Sequence, residues 1–252
     1  RTACIYTSNT GVGLISDVNL IQDILYDEYD IDVVYLENVL NDKDEQPVFA
    51  NYDVGIFIQE FGEQWLERNK VNIFIANEEW IVEEKLSQLK YFDKILTKSS
   101  FSKQLLSPYN NNIINTGFVS LDKNDSNVSP TNTFLHLAGR SSQKGTESVL
   151  KSFKNNNFDL TFLQSDEQYN NTSSNVNHIS EFISAEQISF ILNNHTIHLC
   201  PSIYEGWGHY LYEGMSTGAL IYATKIPMFL EWIDPDLVVF LDCIFHSNDN
   251  NY

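Results

Sequence analysis

Cations are scarce in this sequence. Fifteen lysines and arginines stand against 34 aspartates and glutamates, a formal net charge of −19. So acidic a chain is a poor partner for a phosphate backbone, because non-specific nucleic-acid binding depends on clustered Lys and Arg. Docking on an anionic membrane is disfavoured for the same reason. Cysteine is sparse too. Cys4, Cys200 and Cys243 lack metal-ligand spacing, and the first two fall on predicted buried strands, so they read as core thiols of a reducing compartment, the cytoplasm. The six histidines are scattered, with His195 and His198 on a strand rather than at i, i+4 on a helix, and no metal site is expected. No stretch of about 18 apolar residues exists to cross a bilayer, and nothing at the start has the character of a secretory signal. The expectation is a soluble globular protein. An apolar content of 42% supplies real cores, and 252 residues make one large domain or two modest ones.

The most informative stretch runs from His195 to Ala223. It reads as a short apolar strand (Thr196 to Cys200), a Pro201-Ser202 turn, a glycine-punctuated loop, a helix from His209 to Thr217 stopped by Gly218, and another apolar strand. Glu205 and Glu213 frame the loop, with Gly206, Trp207, Gly208 and His209 between them. On a helix rising 1.5 Å per residue the two carboxylates lie roughly 10–12 Å apart, so one elongated ligand can touch both. Glycines let backbone approach a ligand closely, and the helix start offers unpaired N–H groups to oxygen-rich groups. Carboxylates at both ends accept hydrogen bonds from hydroxyls. This describes a site for a sugar at one end and a ribose at the other; the plainer alternative is a strand-to-helix turn with two solvated glutamates.

The first half opens with a strand (Ala3 to Thr7), a turn through Gly11 and Gly13, a helix of period 3.6 through Ile15, Val18, Ile21, Ile24 and Leu25, and a second strand, Ile31 to Leu36. That is a Rossmann-like opening. Gly11-x-Gly13 followed by Glu37 invites a dinucleotide reading, but Ser16 stands where the third glycine belongs, and a simple tight turn fits as well. Further strands read at Val54–Gln59, Asn72–Ala76, Lys94–Thr97 and Asn112–Thr116. Such alternation predicts a parallel sheet covered on both faces, with its ligand edge at the carboxyl ends of the strands. That edge collects Gly11, Gly13, Gln59, Glu60, Asn77, Glu78 and Glu79. Ser99 or Ser100 reads as a helix cap.

The polar segment Asp122 to Asn132 is the best linker. Beyond it Thr133–Leu137 begins a second sheet, and Gly139-Arg140 leads through Lys144-Gly145 into a helix. Two cations at a helix start beside glycines suit a diphosphate, Arg binding oxygens bidentately and Lys as a compact charge. A surface loop with solvated cations is the alternative. Strands follow at Leu160–Leu163 and Val176–Ile179 around an Asn/Ser-rich loop, Ser165–Asn175. Ser184 and Gln187 fit a capping box, and Asp236–Asp242 is the last expected strand.

Two motifs together resemble a known family. Tyr204-Glu205-Gly206-Trp207-Gly208 with Glu213-Gly214-Met215 is similar to the E-x7-E signature of retaining nucleotide-sugar glycosyltransferases of the GT-B fold, group 1. His136 to Glu147 resembles the Gly-Arg/Lys…Lys-Gly element of the same family. Asn72 to Trp80 is similar to an Asn-Pro-Glu-Trp turn of one bacterial-like branch, with Glu78 in the proline's place. Phe92–Ser99 and Thr116–Asp122 are similar to that branch too, and Ile226–Glu231 resembles the family's Pro…Glu turn near the donor.

The resemblance implies an α/β, GT-B-like fold of two Rossmann-like doubly wound domains facing across a cleft. Residues 1–121 would bind the acceptor, 122–132 would link, and 133–252 would bind the donor. Family members usually continue for a helix or two beyond Tyr252, so the resemblance implies either a sequence trimmed at this end or a minimal member with a looser domain arrangement. The implied donor is a UDP- or GDP-sugar, the acceptor a carbohydrate or glycoconjugate, and no metal or other cofactor is required. Glu205 would lie against the donor sugar and Glu213 hold the ribose, while Gly139, Arg140 and Lys144 hold the diphosphate and Gly206, Trp207, Gly208 and His209 line the donor loop. Glu205, Arg140 and Lys144 are the expected catalytic groups. Gly11, Gly13, Asn77 and Glu78 form the expected acceptor or phosphate loop. Two other readings stay open: a non-catalytic carbohydrate- or nucleotide-binding module, and an NAD-dependent enzyme resting on Gly11, Gly13 and Glu37.

Overall fold

The computed structural model describes residues 1–9, 11–36, 51–164, 173–181 and 183–243. Glu37, most of the Asn/Ser-rich loop and the polar C-terminal tail lie outside them. The chain divides into two compact units, residues 1–119 and 120–252, and each is an α/β layer structure built on a six-stranded, all-parallel sheet.

In the first unit the strands are β1 (Thr2–Thr7), β2 (Asp30–Tyr35), β3 (Tyr52–Ile58), β4 (Asn69–Ile75), β5 (Lys94–Thr97) and β6 (Ile113–Asn115), in spatial order β2-β1-β3-β4-β5-β6. Helix α1 (Val12–Leu25) follows β1, the short α2 (Glu63–Leu66) and α3 (Glu83–Leu86) flank β4, and α4 (Ser100–Leu106) follows β5. Side chains alternate across a strand, and here the alternation sorts the core by chemistry. One face of the sheet carries Cys4, Tyr6, Phe57 and Phe74 with Trp65 and Phe92; Tyr6 stacks on Phe57 at 4.5 Å and 11°. The other face carries Ile5, Ile56, Ile58 and Ile75, covered by Leu14, Val18 and Ile21 of α1. Of the expected apolar face of α1, Val18, Ile21 and Leu25 meet these residues, whereas Ile15 and Ile24 point outward, 38% and 67% exposed, and Leu14 takes the buried place instead.

β4 begins three residues before the apolar run that announces it. Its polar start pairs in register, Tyr52 opposite Asn69, because the Asn69 side chain is fully employed there. It accepts from the Tyr6 hydroxyl at 3.1 Å and donates to Trp65 O at 2.9 Å. α4 is capped as expected, Ser99 Oγ accepting from Ser102 N at 3.0 Å.

The second unit has strands β7 (Thr131–Gly139), β8 (Leu160–Gln164), β9 (Val176–Ile179), β10 (His195–Cys200), β11 (Leu220–Thr224) and β12 (Val238–Leu241), ordered β12-β11-β10-β7-β8-β9. Its helices are α5 (Thr146–Phe153), α6 (Ala185–Asn194), α7 (His209–Ser216) and α8 (Pro227–Trp232). Both elements of the Ser184/Gln187 capping box are present at α6. The segment read as a linker is bound to this unit. Lys123 N donates to Ser216 Oγ at 2.9 Å, Asp125 N to Asn193 Oδ1 at 2.8 Å, and Asn193 Nδ2 to Lys123 O at 2.6 Å. Backbone groups of a polar stretch need partners, and two side chains, one on α6 and one on α7, supply them.

The first unit holds a buried ion pair. Lys98, just past β5, pairs with Asp17 of α1 at 2.8 Å, each side chain 2% exposed, and the ammonium also lies 4.4 Å from the Phe118 ring centroid. Removing one partner of such a pair leaves a buried charge. Lys98→Met is therefore expected to cost about 3–5 kcal/mol, and Asp17→Leu combined with it to restore most of that loss. Urea denaturation of the three variants checks this; a single mutant as stable as wild type would show that the pair does not hold α1 to the sheet.

Candidate functional site

The chain leaves β7, lays β8 and β9 on one side of it, and returns with β10 on the other. The loops leaving the carboxyl ends of β7 and β10 therefore diverge from neighbouring strands. In an open parallel sheet this switch point is where ligands bind.

Glycine geometry locks the two loops together. Gly145 ends the turn after β7 at φ +71°, and a Cβ there would stand 2.3 Å from the carbonyl oxygen of Pro201 in the β10 loop. Ile203 N donates to Gln143 O at 2.8 Å across the same seam. Gly208, at φ +89°, starts α7, and a Cβ on it would meet the Phe229 ring at 2.7 Å. Behind the seam, Thr224 Oγ1 donates to Ser202 O.

This brings Lys144 and Glu205, 61 residues apart in sequence, into an ion pair between Nζ and Oε1, with side chains 16% and 10% exposed. Nζ also lies 3.9 Å from the centroid of the Tyr210 ring. Ser202 Oγ donates to the same Glu205 oxygen at 2.5 Å and lies 2.6 Å from the Tyr210 hydroxyl. Among the described residues nothing bonds Glu205 Oε2.

Glu213 sits on the second turn of α7, half-buried. Burial raises its pKa, opposed by the positive charge of Lys123 and by His209. Among the described residues no donor reaches its carboxylate. Gly139 turns at φ +59° with open space about it, and Arg140 is exposed beside it. Gly206 is buried. Trp207 is 6% exposed, stacked on Tyr212 at 4.5 Å with Trp232 edge-on at 6.4 Å. Its Nε1 donates to Ser120 Oγ at 3.0 Å, and His209 Nδ1 lies 2.8 Å from that oxygen. The indole is thus packing material for the loop, with its face already occupied.

In the first unit the expected residues lie on the connections that follow β1 and β4, one on each side of β3. Gly11 caps α1 in extended backbone, and a Cβ added to Gly11 or Gly13 would meet no atom of the described residues within 4 Å. No hydrogen bond among the described residues joins them to Asn77 or Glu78. Asn77 Nδ2 donates to Gln59 Oε1 at 3.1 Å, where Gln59 turns the chain after β3 at φ +66°. Glu78 is turned inward. It is 7% exposed, accepts from Ser102 Oγ at 2.8 Å, and burial raises its pKa.

Three residues around the second-unit loops have no role assigned from the sequence. Ser202 and Tyr210 are two of them. The third is His136 of β7, fully buried, with Nδ1 2.9 Å from Leu199 O and Nε2 3.0 Å from Thr146 Oγ1. A carbonyl only accepts, so Nδ1 carries the proton and Nε2 accepts from the hydroxyl. Burial brings the His136 pKa down to about 4, with the Leu199 carbonyl opposing and the Lys144 charge adding to the fall. It stays neutral and ties the first residue of α5 to β10.

No group of three or more His, Cys, Asp or Glu side chains among the described residues could hold a metal ion, and no described helix is long and apolar enough to cross a membrane. Two shallow clefts of the second unit, about 400 Å³ and 450 Å³, share no residue with these loops.

Two doubly wound parallel sheets in succession make this a GT-B-type fold. No protein-family model matches the sequence, and no curated protein matches it. Solved structures do match. Sucrose-phosphate synthase from Thermosynechococcus elongatus has a TM-score of 0.68 at 12% identity, over 96% of this chain and 86% of that one. Anabaena Alr3699/HepE in complex with UDP has 0.65 at 11%, over 96% and 86%. WaaG, a glycosyltransferase involved in lipopolysaccharide biosynthesis, has 0.63 at 12%, over 97% and 86%. At these identities the likeness is one of fold.

The Gly145 contact is testable. Gly145→Ala combines left-handed strain of roughly 1–3 kcal/mol with a backbone clash, and a loss of about 3 kcal/mol is expected. Gly139→Ala meets no neighbour and should lose only the backbone share, about 1 kcal/mol. Equal denaturation midpoints for the two variants would mean that the Pro201 contact does not set the loop.

Proposed function

We propose that this chain is a retaining glycosyltransferase, moving a sugar from a UDP- or GDP-sugar to a carbohydrate or glycoconjugate acceptor. The observation that carries the reading is the placement, at one switch point, of a cation (Lys144), a carboxylate (Glu205) and, beyond them on α7, a half-buried carboxylate (Glu213), with Glu205 Oε2 and the Glu213 carboxylate unengaged among the described residues. These suit the diphosphate, the sugar and the ribose of one elongated donor. The UDP complex of a protein with this fold supports the choice of ligand.

In this reading Lys144, Arg140 and the backbone amides from Gly206 to Gly208 stabilise the charge that develops on the departing diphosphate, which is electrostatic catalysis without a required metal. The bond from the anomeric carbon to the phosphate oxygen breaks and the bond to the acceptor oxygen forms on the same face. The leaving phosphate takes the acceptor's proton, so no side chain serves as base. Glu205 orients the sugar and Glu213 anchors the ribose. Residues 1–119 take the acceptor. One observation favours the alternative, a non-catalytic binding module of the same fold: Glu205 already meets the charge of Lys144, and a diphosphate must compete for it.

Calorimetric titration without added metal, against UDP, GDP and their sugar conjugates, tests the reading. Glu213→Ala and Lys144→Ala should each weaken nucleotide binding roughly tenfold to a hundredfold, the range of one or two charge-assisted hydrogen bonds. Glu205→Ala should mainly depress transfer. Unchanged binding and turnover in all three would sink the assignment, and tight binding with no release of nucleoside diphosphate would leave the binding module.

Acidity gives a second check. A Glu213 carboxylate that accepts ribose hydroxyls must be ionised, and its pKa is raised. Affinity should therefore fall with decreasing pH before an ordinary glutamate would titrate, and Glu213→Gln should flatten that fall. A wild-type profile that falls no more steeply than that of Glu213→Gln would remove Glu213 from the ribose site.

A further inference from the structure

The Tyr210 side chain touches both charged groups of the site by different parts of itself. Its ring face lies 3.9 Å under the Lys144 ammonium, and its hydroxyl lies 2.6 Å from Ser202 Oγ, which donates to Glu205 Oε1 at 2.5 Å. The direction of the chain is fixed by inventory. An ionised carboxylate only accepts, so the single Ser202 proton goes to Glu205, and Ser202 must accept from the tyrosine. Burial raises the Tyr210 pKa well above its ordinary value, so the phenol keeps the proton it donates. Ser202 is itself fully buried, and its carbonyl is held by Thr224.

We infer that Tyr210 is the positioning residue of this site, setting Lys144 through its ring and Glu205 through its hydroxyl and Ser202. The inference rests on the nucleotide-sugar reading for what the two groups are positioned to bind, and on the contacts alone for how they are held. Both bonds to Glu205 land on Oε1, which leaves Oε2 aimed by a fixed carboxylate plane rather than by a freely turning one. The ammonium is attracted by the ring face and by Glu205 on another side, so an arriving anion can replace Glu205 without releasing the lysine from its platform. Tyr210 itself need touch no ligand.

Two measurements separate this from a merely structural role. In the ligand-free protein, the Lys144 ε-methylene resonance, assigned with Lys144→Arg, should be displaced upfield by the ring current. It should stay displaced in Tyr210→Phe and return to the range of the other lysines in Tyr210→Leu. In titrations with UDP and UDP-glucose, and with GDP and GDP-mannose, Tyr210→Phe should bind the nucleoside diphosphate within about twofold of wild type while losing about fivefold to tenfold of the additional affinity conferred by the sugar. Ser202→Ala should show the same loss, and the double variant no more, because one chain of bonds is cut either way. Tyr210→Leu should also lose diphosphate affinity.

An undisplaced Lys144 resonance, or wild-type behaviour of both Tyr210 variants, overturns the inference and leaves the proposed function standing. Additive losses in the double variant overturn the chain through Ser202. If wild type binds none of the four nucleotides the proposed function fails, and the lysine resonance alone then decides whether Tyr210 sets Lys144.

Discussion

The ion pair of Lys144 with Glu205 joins loops from two neighbouring strands, and it forms only because the backbone beneath it has already closed. Both side chains are largely withdrawn from water, and a withdrawn pair recovers its desolvation cost only with good geometry and further bonds. The further bonds are present: Ser202 on the carboxylate, the Tyr210 ring under the ammonium. The geometry comes from Gly145, whose missing side chain admits the Pro201 carbonyl, and from His136, which ties Thr146 to β10. Remove the close approach and the cation and carboxylate belong to separate loops again.

The two units use one topology for different ends. Each sheet reverses its strand order beside its first strand, so each has a switch point, yet their polar groups are disposed differently. In the first unit the charges near the strand ends are turned inward: Lys98 meets Asp17, and Glu78 meets Ser102. Those contacts hold helices to the sheet and spend the groups' bonding capacity internally. In the second unit Arg140 is exposed, Glu205 has an oxygen unengaged, and Glu213 has no donor among the described residues. Fold alone says nothing about which half does chemistry; the unspent bonding capacity is what the proposed function rests on.

Strand identities were legible because a parallel sheet buried on both faces requires continuous apolar runs, and Ile56 to Ile58 or Ile73 to Ile75 can be little else. Strand ends were less so. Asn69 opens β4 because its amide is used by Tyr6 and Trp65, and no local pattern reports a partner 63 residues away. The same limit applies at the site. Glycine and charge spacing mark Lys144, Glu205 and Glu213, but whether a side chain faces ligand or core depends on what packs behind it. Glu78 and Trp207 look alike in sequence to exposed site residues, and are claimed instead by Ser102 and by Tyr212. Tyr210 and His136 have no role legible in the sequence for the converse reason: a tyrosine early in a helix and a histidine in a strand are common, and only the contacts give them work. The polar 122–132 segment reads as a free linker until Asn193 and Ser216 are seen to hold it.

Glu78 and Glu213 make a controlled comparison. Burial raises the pKa of both, so both are held at a cost in their ionised form. Glu78 offsets the cost with a serine donor and the nearby Lys98 charge. Glu213 has only the longer-range attraction of Lys123 and His209. Its oxygens are not among the buried polar atoms left without a partner, so water or a ligand hydroxyl can supply the hydrogen bonds that the protein does not. Vicinal hydroxyls supply two to one carboxylate. Under the proposed function, ribose hydroxyls would take the place of the water that reaches these oxygens, in a setting that has already met part of the cost of desolvation.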